Sequence, residues 1–439
     1  MLFIKNIIHS IKHTSYLWLI TFVAIIIFII IRDVMQIALP PFLLSIIVIF
    51  PSLFLSESFI VRILFFLLPL ACGIPSGYIF PSLLIILLIK SKNSSLINII
   101  LFCAIIVMEI LHYPLYDFIV NWTDVIKYLS SIMIFIYFSN PKTSKSLTQD
   151  ALTYFLLGAT FLFIVLLYIS INNGWTNDVA MRLGTMGGDS YYEDNMSLST
   201  NPNYIASFSI ITIAASLTLF IQRKISLLYF LFILLPAVIA GVYCLSRTWI
   251  IILVLLLFTY GLILINNKKN GITFLLIIVF ALGTYYIGSL EIIESLQNRF
   301  EYDNMSTGGG RTEIFGLYND YLLNHLDLLF WGTGAVYYGK VISSIPASIH
   351  NGFQQIWVSY GLLGFILFLW YGKWLIKKNY DNGGLVSILP LLLSLIFIQT
   401  SQFLKPEFNM YPILISIVLL RINQFNEFTN ERCRYIQKN

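Results

Sequence analysis

The sequence predicts an all-α polytopic membrane protein with about 12–14 transmembrane helices, given roughly 20 apolar residues per crossing. Three observations predict it. Of 439 residues, 58% are hydrophobic and only 11% charged, against about 25% charged in soluble domains. Mean hydropathy is +0.84 over the whole chain. The apolar residues form continuous runs rather than the alternating pattern of barrel strands. In hydrocarbon the backbone must satisfy its own N–H and C=O groups, which leaves helices.

The runs fall at 16–31, 37–55, 59–73, 77–89, 96–111, 122–138, 151–171, 201–221, 225–243, 247–265, 271–290, 351–372, 384–403 and 408–421. The third and fourth are short and flank Gly73-Ile74-Pro75-Ser76-Gly77. They either cross twice or form one re-entrant hairpin, and the topology is the same in both cases. Lys5 and Lys12 precede the first run and no small-residue cleavage site follows it, so an uncleaved span is expected rather than a signal peptide. The resulting division is an N-terminal transmembrane bundle (1–171), a first long loop (172–200), central spans (201–290), a large loop (291–350), C-terminal spans (351–421) and a tail (422–439).

Orientation follows from basic residues, which concentrate in cytoplasmic loops. With a cytoplasmic N-terminus, most of the 26 Lys and Arg lie inside, and the C-terminal tail is cytoplasmic too. The outer side keeps Arg32, Arg182, Arg247, Arg299, Arg311, Lys340 and Lys405. Both long loops are then extracytoplasmic. Long polar loops on a rigid scaffold tend to carry function. Within the larger one, Ile314, Phe315, Tyr318, Tyr321, Leu322 and His325 recur at helical spacing, so a short helix is expected over 311–327.

Several function classes are excluded by what is missing. No Lys/Arg run forms a nucleic-acid patch, and no phosphate loop, zinc helix or dinucleotide fingerprint occurs. The four cysteines suggest no disulfide framework. No internal repeat supports a transporter. No cofactor is expected.

The outer face is otherwise acidic, so its arginines are weighed singly. Arg311 follows Gly308-Gly309-Gly310 and begins the expected loop helix. A helix start favours an anion, and a guanidinium fork suits phosphate. The plainer alternative is a solvated arginine paired with Glu301, Asp303 or Glu313. Arg247, in Ser246-Arg247-Thr248-Trp249, lies at the interface between two nearly contiguous spans. It either reaches lipid head groups or holds a lipid-linked phosphate. His350 opens a span in His350-Asn351-Gly352. A neutral imidazole there can act as general base on a hydroxyl, or simply fill an interfacial hydrogen-bonding role. Arg182, ahead of Asn201-Pro202-Asn203, can reach phosphate or sugar. Asp189, Glu193, Asp194, Glu301 and Asp303 are read as solvated, and no metal is assigned. His112 and His325 are read as structural.

Together these pieces resemble the bacterial O-antigen polymerase and O-antigen ligase superfamily of lipid-linked glycosyltransferases. The resemblance rests on Arg182 with Asn201-Pro202-Asn203, then Ser246-Arg247, Gly310-Arg311, His350-Asn351-Gly352 and Gly361-Leu362-Leu363-Gly364. It covers about 172–372. Phe315 stands where the family usually carries a tryptophan, a departure that bears on local packing.

The resemblance implies a GT-C-like arrangement in which short helices of the outer loop cover the spans. It implies a bacterial inner-membrane location and a metal-independent reaction without ATP. Glycan leaves undecaprenyl diphosphate and passes to a sugar hydroxyl, with inversion at the anomeric carbon. Arg247 and Arg311, assisted by Arg182, would bind the diphosphate, and His350 would prepare the hydroxyl. Asn351 and Asn203 would support them. Partners are the undecaprenyl-diphosphate-linked oligosaccharide, membrane lipids and a chain-length-determining co-polymerase. The expected function is repeat-unit polymerase. Ligase to lipid A–core, and a lipid-linked oligosaccharide flippase, stand as alternatives.

Overall fold

The computed structural model describes residues 2–91, 96–113, 119–172, 183, 198, 201–266, 311–345, 348–404 and 410–421. Among them the chain is helical throughout, with no strand. The helices are α1 (Leu2–Ile29), α2 (Pro41–Ser52), α3 (Glu57–Leu67), α4 (Ser76–Lys90), α5 (Leu96–Ile110), α6 (Trp122–Ser139), α7 (Lys145–Asn172), α8 (Pro202–Ile221), α9 (Leu227–Tyr243), α10 (Arg247–Asn266), α11 (Arg311–Asn324), α12 (Leu326–Trp331), α13 (Tyr338–Val341), α14 (Gly352–Asn379), α15 (Leu385–Ile398) and α16 (Tyr411–Leu419). A π turn, Ile30–Val34, extends α1, and a 3₁₀ turn, Leu68–Gly73, links α3 to α4.

Among the described residues, five helices are long and apolar enough to cross a membrane alone: Tyr16–Val34, Lys145–Asn172, Pro202–Ile221, Arg247–Ile265 and Gly352–Asn379. Other apolar helices, such as Pro41–Ser52 and Leu385–Ile398, are shorter, and the larger expected count rests on them. The chain is thus an all-helical polytopic membrane protein. The expected span at 271–290 lies outside the described residues.

Helix α8 is the centre of the bundle, with 94% of its apolar window buried. Its sequence explains why. Small and hydroxyl residues let neighbours approach closely, and each hydroxyl finds a carbonyl in hydrocarbon. Thr218 donates to Ala214 O at 2.7 Å, and Ser209 to Ala237 O of α9 at 2.6 Å. Helices α7, α9, α15 and α16 pack around it. The α3–α7 crossing is equally close, because a Cβ at Gly158 would stand 2.2 Å from Phe66 O.

Polar links between helix ends sort into two faces. On one, Lys90 Nζ donates to Ser52 O, Leu53 O and Leu55 O, and Arg62 pairs with Asp150 at 3.1 Å. Buried Arg421 donates there to Asn379 Oδ1, Thr148 Oγ1 and Phe138 O. Tyr137 bonds both Glu57 and Ser91, so the α3–α4 pair starts and finishes on this face. Its tip lies among residues of the other, with Leu198 against Gly73 and Tyr204 donating to Pro69 O at 2.8 Å. We call this second face, which carries 311–350, the loop face. Every link named here joins ends that alternating spans assign to one side.

The loop helix ends earlier than its spacing predicts. Helix α11 stops at Asn324, His325 leaves helical geometry at φ −128° and ψ 81°, and α12 follows. Tyr318 and Leu322 are buried and Ile314 and Tyr321 pack on them, as the periodicity implies, whereas Phe315 is largely exposed.

Candidate active site

Three helix starts and one helix hairpin build the polar layer of the loop face. The Asn201-Pro202-Asn203 motif is a helix start. Asn201 Oδ1 accepts from Asn203 N at 2.9 Å, and Pro202 takes the first position, where no N–H is needed. The side chain of Asn203 then accepts from Ser246 Oγ at 3.4 Å. Ser246 lies in the turn between α9 and α10, which is tight enough to hold Leu245 at φ +47°. Arg247 is the next residue and the first of α10, half-buried. The hairpin is locked by Trp249, whose ring covers Gly241 and whose Nε1 donates to Ser209 at 2.9 Å. Buried Leu183 donates its N–H to Tyr243 O at 3.0 Å, bringing the first long loop to the same turn. Arg182 itself lies outside the described residues.

The second group surrounds the start of α14. Asn351 is the cap, with Oδ1 accepting from Phe353 N and Gln354 N at 3.0 Å and Nδ2 donating to Gln399 Oε1 at 3.1 Å. The helix therefore begins at Gly352, and His350 sits two residues ahead of it, half-buried, on the approaching chain. Gln354 Nε2 donates to Phe315 O at 2.8 Å and to Asn319 at 2.9 Å, which lays α11 across this start. Arg311 is the first described residue of α11 and is half-buried. Gln355 Oε1 accepts from Phe403 N and Leu404 N, both at 2.8 Å, tying in the chain that leads to α16.

The loop is also fastened to α5. Glu109, fully buried, accepts from Ala335 N, Val336 N, Tyr113 and Tyr360. His112 contacts Met108 O and Trp331 O through its two ring nitrogens, the structural role expected of it. His325 rests on the Tyr321 ring and carbonyl. In the loop, the Tyr338 hydroxyl accepts from Gln402 Nε2 at 3.1 Å. Burial pushes the Tyr318 and Tyr338 hydroxyls above their ordinary range, further from ionisation at neutral pH.

Sequence reading missed Glu109, Gln354 and Gln355. Gln354 and Gln355 carried one signal, adjacent amides at the head of an apolar run. Glu109 carried another, an acid just inside a span end, where ionisable groups are costly and tend to serve a purpose. Among the described residues, no group of three or more His, Cys, Asp or Glu is placed to hold a metal. Asp189, Glu193, Asp194, Glu301 and Asp303 lie outside them.

The fold and this layer define a multi-pass membrane protein with its polar chemistry gathered at one end of the bundle. Residues 232–369 match the family model described as O-antigen ligase, consistent with the O-antigen polymerase and ligase superfamily. The matched stretch runs from within α9 to within α14 and encloses Arg247, Arg311, His350 and Asn351, with Arg182 and Asn203 before it. It supports a glycosyltransferase-like activity of the ligase or polymerase type, and lipid-linked oligosaccharide substrates, in a bacterial membrane. Neither the curated proteins nor the solved structures include a match to the chain.

Proposed function

We propose that this protein polymerises O-antigen repeat units on the extracytoplasmic face of the inner membrane. It transfers glycan from undecaprenyl diphosphate to a sugar hydroxyl of a second carrier-linked unit. One observation carries the reading. The family match encloses Arg247 at the start of α10, Arg311 as the first described residue of α11 and the His-Asn-Gly helix start, all on the loop face.

Charge on the leaving diphosphate grows as the glycosidic bond breaks. Arg247 and Arg311, with Arg182, stabilise that charge more in the transition state than in the ground state. The backbone N–H groups at the start of α10 add to this field. His350 takes the proton of the attacking hydroxyl. One direct displacement inverts the anomeric carbon and needs neither a metal nor a covalent intermediate. Lys and Arg density supports an outward-facing loop face. Polymerase is favoured over ligase by the two-loop layout and the high span count.

Deleting the gene and displaying lipopolysaccharide on a gel tests the reading. Loss of the ladder with retention of core plus one repeat is the expected result. Loss of every capped band would assign a ligase. The same loss with lipid-linked units left facing the cytoplasm would assign a flippase.

A further inference from the structure

We propose that Glu109 is a positioning residue for the transfer reaction, holding the strap 331–337 so that α11, which carries Arg311, stays laid across the start of α14, just after His350. This rests on the proposed function for its kinetic consequence, and on geometry alone for the anchoring.

The anchoring is unusual in its chemistry. Glu109 stands one residue from the end of α5, an otherwise uncharged apolar helix, and is 0% exposed. A buried carboxylate is tolerated only when donors surround it. Here Ala335 N donates to both oxygens at 3.1 and 2.9 Å, and Val336 N to Oε1 at 3.1 Å. Tyr113 and Tyr360 add hydroxyl donors at 2.5 and 3.2 Å. Tyr128 bonds Tyr360 in turn and extends the network into α6. Two consecutive backbone N–H groups from a distant loop, aimed at one side chain, need an acceptor that an apolar residue does not supply.

The opposite edge of the strap is knitted into α14. Gly361 breaks that helix at φ +64°, and the carbonyls before the break turn outward. Thr333 N donates to Val358 O at 3.0 Å and Gly334 N to Ser359 O at 2.8 Å. Gly332 and Gly334 sit at φ +80° and +79°, conformations that suit glycine. A Cβ at Gly334 would stand 3.4 Å from Glu109 Oε1. The strap is thereby clamped between α5 and the break in α14. It continues directly from α12 and α11, which carry Arg311, and leads through α13 to His350. Glu109 supplies the α5 half of the clamp and sets the height and angle of α11 over the start of α14.

The test places spin labels at Leu323→Cys on α11 and Ile251→Cys on α10, both exposed. The full-length protein is used in nanodiscs, with its native cysteines replaced by alanine. Their distance distribution is measured with Glu109 intact, with Glu109→Gln and with Glu109→Leu. A narrow distribution in the parent, broader in Glu109→Gln and broadest in Glu109→Leu, is expected. For transfer between carrier-linked units, kcat should fall about 10²-fold in Glu109→Leu, the cost of a misplacement of about 1 Å. KM for the donor should stay within about threefold, and Glu109→Gln, which keeps one acceptor oxygen, should recover most of the rate. If Glu109→Leu does not fold, Glu109→Gln carries the distance measurement. An unchanged distribution in a folded variant overturns the proposal, as does a broadened one with unchanged kcat. A parent without transfer activity defeats the functional reading instead, and the distance series still decides the anchoring.

Discussion

In the proposed mechanism, Arg247 and Arg311 enter the reaction as planar forks, not as point charges. A lysine at either place keeps the charge and loses the two-pronged contact. Charge-assisted hydrogen bonds contribute about 1.5–3 kcal/mol, so Arg247→Lys and Arg311→Lys should each slow transfer by roughly 10- to 100-fold. His350→Ala should cost about 10²–10⁴-fold, the usual worth of a positioned base. Each is read as shortening or loss of the ladder at unchanged protein level, and a full ladder in Arg311→Lys and His350→Ala would dismiss their roles. These residues were legible in the sequence because a charged side chain beside a glycine run, or at the head of an apolar segment, stands out against a lipid-adapted background. The supports were legible only in part. Asn351 is named as a support by the resemblance, and its two accepted N–H bonds show how, as the cap of α14. The value of Glu109 depends on partners 226 and 251 positions away, which no local pattern encodes.

Helix α14 shows how an element departs from its hydropathy. The run predicts one continuous span from 351 to 372, and the helix continues to Asn379 but breaks at Gly361. In the sequence, Gly361 and Gly364 read as part of a motif. In the structure, Gly361 is where the loop docks, because a Cβ there would lie 2.0 Å from Phe330 O. Gly361→Ala therefore meets both a left-handed backbone and a steric clash. We expect a loss of thermal stability in detergent of about 1–3 kcal/mol, in line with strained backbone sites. Gly372→Ala, where nothing lies within 4 Å of the added carbon, should leave the melting temperature unchanged. Equal melting behaviour in the two variants would contradict the docking role. Most other helix positions were legible, since continuous apolar runs mark them. Helix ends shifted by several residues wherever a cap, a proline or a lone histidine decided the boundary.

For the whole molecule, the sorting of helix ends into two faces agrees with the alternation read from apolar runs, while the direction of that alternation rests on the basic residues. Alkaline phosphatase fused after residue 345 should be active and a fusion after Arg421 inactive, with fluorescent-protein fusions showing the converse. The opposite pattern would place the arginine face in the cytoplasm and remove the functional proposal with it. The expected span at 271–290 is tested by the same series.

Asp33 gives the loop-face anchoring a second instance. It pairs with Arg32 at 2.6 Å in the π turn after α1, and its Oδ1 accepts from Leu198 N of the first long loop at 3.3 Å. Each long loop is therefore moored by one acid on a helix that precedes residue 120, far upstream of the segment the family model recognises. The opening third of the chain, which at sequence level reads as generic membrane filler, is thus a foundation cut to fit these particular loops. The smallest portion transplantable between relatives without unmooring its loops is accordingly much larger than 232–369.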